Sequence, residues 1–83
     1  MRNRILIIDD DIDLCTLLAR YLSKNGYETE AAYTGKKGIS LFAEKKFDVV
    51  ICDYRLGDME GIEVISALKK IPREGARRKA SWM

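Results

Sequence analysis

Two short stretches of the chain are apolar at every position: Ile5-Leu6-Ile7-Ile8 and Val49-Val50-Ile51-Cys52. A strand whose successive side chains are all apolar has both faces covered, as in a parallel sheet sandwiched between helices. The first run predicts a strand over Arg4 to Ile8, the second a strand over Asp48 to Cys52. Between them, Leu14, Leu17, Leu18, Tyr21 and Leu22 recur at helical spacing and predict an amphipathic helix stopped by Asn25-Gly26. Tyr27 to Ala32 alternates Glu28 and Glu30 with Thr29 and Ala31, the pattern of an edge strand with one wet side. Thr34 is placed to cap a second helix over Gly35 to Lys45, with Gly38, Ile39, Leu41 and Phe42 inward and two glycines weakening it. A third helix is expected from Gly61, with Ile62, Ile65, Leu68 and Val64 inward, ending near Lys70 because Pro72 disfavours helical geometry at Ile71. Arg73 to Met83 shows no strand-like run, and no internal repeat is visible.

The element order is therefore βαβαβα plus a tail. Alternating strands and helices imply an α/β fold with a parallel sheet and right-handed crossovers. Residues 1–71 form the expected domain and residues 72–83 a basic tail. Ligands of such sheets bind beyond the carboxyl ends of the strands, where strand order reverses. Asp9 and Asp10 follow the first strand and Asp53 follows the third. With strand 1 between strands 2 and 3, these carboxylates converge.

Composition narrows the chemistry. The 83 residues suffice for one small domain. Without histidine, the chain is neither a phosphohistidine carrier, a His-based acid/base enzyme nor a His-ligated zinc protein. Cys15 and Cys52 have no CxxC spacing and read as reduced thiols in or near a core. No apolar run approaches membrane-spanning length, and the N-terminus has no signal-peptide pattern, so a cytoplasmic protein is expected. The net charge of +2 is uneven. The body to Ile71 is nearly balanced, while Arg73, Arg77, Arg78 and Lys79 stand against Glu74 in the tail. That tail reads as solvated, and no nucleic-acid or membrane partner is expected. Arg77-Arg78-Lys79-Ala80-Ser81 is similar to a basophilic-kinase target, a pattern that arises readily by chance.

Clustered carboxylates repel one another, and a divalent cation removes the conflict. Mg²⁺ prefers oxygen ligands and keeps several waters, so one or two carboxylates suffice. An aspartate beside it is a competent nucleophile toward a phosphoryl group. Asp11 and Asp13 need no such role, because helix N-termini favour negative charge.

Ile5-Leu6-Ile7-Ile8-Asp9-Asp10-Asp11 resembles the first strand and acidic pair of response-regulator receiver domains. Val49-Val50-Ile51-Cys52-Asp53-Tyr54-Arg55-Leu56 resembles their third strand and phosphoacceptor, and Gly57-Asp58-Met59-Glu60-Gly61 their loop into the third helix. The resemblance runs from Arg4 to Lys70. It implies a three-layer flavodoxin-like, CheY-like sheet, truncated to about three βα units with strand order 2-1-3. It implies a two-component signalling module, not an enzyme, that accepts a phosphoryl group on Asp53 from a sensor histidine kinase or phosphotransfer protein. It also implies an Mg²⁺ site of Asp10 directly, Asp9 largely through water, Asp53, and the backbone carbonyl of Arg55. Gly57 stands where many members have proline, and both suit a turn.

The family has five βα units, and this chain has room for three. The Ser/Thr and Lys that would follow strands four and five have no counterparts here. A second reading follows: a fragment unable to transfer phosphoryl groups that serves only binding or assembly. A dehalogenase-like phosphatase is disfavoured, since neither Asp9-Asp10-Asp11-Ile12 nor Asp11-Ile12-Asp13-Leu14-Cys15 carries the Thr/Val of D-x-D-x-T/V. The alternating Asp9, Asp11 and Asp13 also lack the glycine and closing glutamate of a calcium loop. Finally, an unpaired third-strand edge predicts a homodimer formed strand to strand across a two-fold axis. A tail folded back over that edge and an unstable monomer are the alternatives.

Overall fold

The computed structural model of the chain describes residues 3–72 and 81–82. Strand β1 (Arg4–Ile8) lies between β2 (Glu28–Ala32) and β3 (Val49–Cys52), both parallel to it, with Ile8 level with Ala32 on one side and Cys52 on the other. The 2-1-3 order and the parallel sheet agree with expectation.

Alternation along the strands divides the core into two layers. Leu6, Ile8 and Val50 face α2 (Gly35–Glu44) and α3 (Gly61–Lys69), packing with Leu41, Phe42, Phe47, Val64 and Leu68. Ile5 and Ile7 face α1 (Ile12–Lys24) on the other side, with Cys15. A Cβ on Gly38 would lie 2.5 Å from Ile8 Cδ1, so this glycine, costly to a helix, lets α2 lie directly on β1. Thr34 caps α2 as expected, accepting the Lys37 N–H. Helix α1 ends in the expected turn: Gly26, at φ 90°, donates to Ser23 O, and Tyr27 donates to Leu22 O, the paired bonds of a Schellman cap.

Three expectations need correction. The buried side of α1 is Cys15 with half-buried Leu18, Ala19 and Leu22, whereas Leu17 and Tyr21 are 64% and 65% exposed and Leu14 is also exposed. The apolar stripe is wider than the strip a single helix presses onto a sheet, and its flank is left exposed. Ile62 is exposed on α3, and Val64 takes the buried place beside Leu68. Third, the tail contributes a strand. Ser81 and Trp82 form β4 (Ser81–Trp82), parallel to β3 and level with Val49 and Val50, giving the order β2-β1-β3-β4. The β3 edge expected to be bare is thus filled over half its length. Unpaired backbone groups recruit any strand within reach, and here the chain's own tail supplies it. The premise of a β3-to-β3 homodimer is lost at Val49 and Val50. The basic residues of the tail and its kinase-like motif, apart from Ser81, lie outside the described residues.

Candidate metal and phosphoacceptor site

Asp9 and Asp53 emerge side by side because their strands are held in register to the last residue: the Asp53 N–H donates to Ile8 O (2.9 Å), and the Asp9 N–H to Ala32 O (3.0 Å). Asp10 follows at once in the turn into α1. Asp9, Asp10 and Asp53 each bring a carboxylate oxygen into a group whose members all lie within 4.8 Å of one another. Asp10 is exposed and the other two are half-buried.

The surrounding acids have separate work. Asp11 is the N-cap of α1, its side chain accepting the Leu14 N–H at 3.0 Å, and Asp13 lies in that helix's first turn, as the helix-terminus reading expects. Asp9 accepts the Asp11 N–H (3.0 Å) and Asp53 accepts the Tyr54 N–H (2.9 Å). Each bond leaves the carboxylate's other oxygen for a cation. Both thiols sit in this negative field. Burial, then the charges of Asp53 and Asp9, pushes the Cys52 thiol up to about 11. Burial and the Asp9, Asp11 and Asp10 charges likewise raise Cys15. Neither is a thiolate nucleophile at neutral pH.

Beyond Asp53 the chain forms a small hairpin. Gly61 N–H donates to Tyr54 O (2.7 Å) and Leu56 N–H to Met59 O (2.9 Å), with Arg55 and Glu60 paired between them. In such a non-hydrogen-bonded pair, neither residue's own N–H or C=O takes part in the ladder. The Arg55 carbonyl accepts no hydrogen bond among the described residues. A side chain on Gly61 would collide with the backbone of Asp53 and Tyr54, so only glycine lets α3 start against the acidic site.

The hairpin tip carries a contact that sequence reading missed. Asp58 Oδ1 accepts the Gly35 N–H (2.8 Å) and Oδ2 the Lys36 N–H (3.0 Å), capping α2 from another part of the chain. Bonds from Gly35 and then Lys36 hold the Asp58 carboxyl below the ordinary carboxylate value. Its separation from α2 in sequence left no local signal. Ser81, by contrast, is level with Val49, four residues or about 13 Å of strand before Asp53. It stands at the far end of β3 from the carboxylates. Lys69 ends α3, whose first residue touches the site, so it lies about 12 Å further along the helix.

Comparison with known proteins agrees with this geometry. The family described as response regulator receiver domain matches residues 5–77. The transcriptional regulatory protein ZraR of Salmonella typhimurium is 39% identical over 67 residues, 81% of this chain and 15% of that protein. The chain thus spans a small part of the length of such relatives. A CheY-like receiver domain protein from Methanospirillum hungatei superposes with a TM-score of 0.86 at 30% identity, covering 99% of this chain and 63% of that one. The response regulator TrrA of Thermotoga maritima, solved in complex with Mg²⁺–BeF, superposes at 0.82 with 29% identity, covering 96% and 65%. Fold, acidic cluster and sequence converge: the chain belongs to the CheY-like receiver domains of two-component response regulators.

Proposed function

We propose that this chain is a phosphoacceptor module, taking a phosphoryl group on Asp53 from a histidine kinase or phosphotransfer protein in the cytoplasm. The observation that carries the reading is the convergence of Asp9, Asp10 and Asp53 within 4.8 Å at the carboxyl ends of β1 and β3. Three hard oxygen donors beside an open backbone carbonyl suit Mg²⁺ better than a softer metal. Asp10 and Asp53 would bind it directly, Asp9 largely through water, and the Arg55 carbonyl would complete the protein ligands. When bound, Mg²⁺ neutralises charge on the phosphoryl oxygens and orients them toward the nucleophile. A carboxylate oxygen of Asp53 attacks phosphorus, the bond to the donor's imidazole nitrogen breaks, and the imidazole leaves with that electron pair. The Tyr54 N–H donates to Asp53 Oδ1, which orients the carboxylate.

No described residue occupies the place of the Ser/Thr or Lys that the family resemblance would put beside the phosphoryl group. The test is incubation with an acyl phosphate and Mg²⁺, followed by intact-mass analysis and mapping of the modified residue. One added phosphoryl group on Asp53, absent from Asp53→Asn, is expected. Modification elsewhere, or in the variant equally, overturns the assignment. No helix among the described residues is long and apolar enough to cross a membrane.

A further inference from the structure

The clasp between Asp58 and α2 has no part in the chemistry described above, and its geometry is specific. Two backbone N–H groups at the first turn of α2 point at one carboxylate, one to each oxygen. Thr34 serves the next donor, that of Lys37, so the helix end is satisfied from two directions. Opposite charge at a helix N-terminus and charge-assisted bonds both strengthen the contact. Close packing accompanies it: a Cβ on Gly35 would lie 2.8 Å from Met59 Sδ and 2.9 Å from a Val64 methyl, so the hairpin and α3 press against the start of α2. Leu56, at the other side of the hairpin tip, is buried in the core.

The consequence lies at the base of the hairpin. Among the described residues the Arg55 backbone makes no hydrogen bond of its own and is held through its neighbours, by the Gly61–Tyr54 and Leu56–Met59 bonds. Where its carbonyl sits depends on how firmly the hairpin is fixed to the rest of the domain. Leu56 and Met59 fix it from the core side, and Asp58 is the one polar anchor at its tip among the described residues. We propose that Asp58 is a positioning residue of the metal site: by clasping α2 it fixes the hairpin that presents the Arg55 carbonyl beside Asp53. This rests on the metal reading above and adds a residue to it. Asp58 touches neither metal nor phosphoryl group and acts through Arg55.

The experiment compares wild type with Asp58→Ala, Asp58→Asn and Thr34→Ala. Thr34→Ala removes a cap from the same helix without touching the hairpin, so it matches the loss of helix stability alone. Each ¹⁵N-labelled protein is titrated with Mg²⁺, following the amide resonances, and water exchange at the Leu56 and Gly61 amides is measured without metal. Asp58→Ala should bind Mg²⁺ about tenfold more weakly, the lower end of the loss seen when an outer partner of a ligand is removed. Its Leu56 and Gly61 amides should exchange faster. Asp58→Asn keeps one acceptor oxygen and should fall between, while Thr34→Ala should match wild type in both readouts. Wild-type Mg²⁺ affinity in Asp58→Ala overturns the proposal, and so does an equal loss in Thr34→Ala. If wild type shows no saturable response to Mg²⁺, the metal reading itself falls, and exchange judges the clasp. Faster exchange in Asp58→Ala upholds the anchored hairpin, and unchanged exchange overturns it.

Discussion

Replacing Gly61 with alanine places a methyl group where the backbone of Asp53 and Tyr54 already lies. The obstacle is main chain, so no change of rotamer relieves it. The start of α3 must move away from Asp53, straining the 2.7 Å bond from Gly61 N–H to Tyr54 O. Overpacking of this kind costs about 1–3 kcal/mol, and a lost hydrogen bond a further ~1. Alanine at a helical position recovers at most ~1 kcal/mol of propensity. The net destabilisation should be about 2 kcal/mol, or roughly 10 °C in Tm for a domain of this size. Gly57→Ala is the internal control: its Cβ would meet nothing within 4 Å and its φ is not positive, so it should lie within about 0.5 kcal/mol of wild type. Urea unfolding followed by far-UV circular dichroism measures both. If Gly61→Ala proves as stable as Gly57→Ala, the close approach of α3 to the acidic site is wrong.

Mg²⁺ should raise the Tm of wild type by mass action and leave that of Asp10→Asn nearly unchanged; identical responses would remove Asp10 from the metal site. Leu6→Ala, at a side chain with no solvent exposure, should cost about 2–5 kcal/mol in urea unfolding, a large share of so small a domain's stability; a loss under about 0.5 kcal/mol would refute its place in the core. Asp58 has a lowered folded value, so its stabilisation is present above the unfolded carboxyl value of about 3.9 and is lost as pH falls through the folded value. The stability gap between wild type and Asp58→Asn should therefore close in strong acid, and a gap constant from pH 7 to pH 2 would refute the charge-assisted clasp.

Much of this protein is legible residue by residue. The two fully apolar runs declare parallel strands locally, and β1 is buried from Ile5 to Ile8, whereas in β3 only Val50 is buried and its neighbours are half-buried. The aspartates after them, the Thr34 cap and the Asn25-Gly26 stop are decided within a few residues of themselves, and all stand where sequence places them. What sequence does not decide is which partner a surface meets. The apolar stripe of α1 does not say that Cys15 and Leu18 face the sheet while Leu17 faces away, because that depends on what lies beside the helix. Asp58 finds the Gly35 and Lys36 amides more than twenty residues earlier only because β3 returns beside β1 and carries the hairpin to the start of α2. Ser81 and Trp82 carry no strand pattern of their own, and the unpaired backbone of Val49 and Val50 makes them one. Local patterns set the elements and the carboxylates; crossover geometry alone brings together groups that share no stretch of chain.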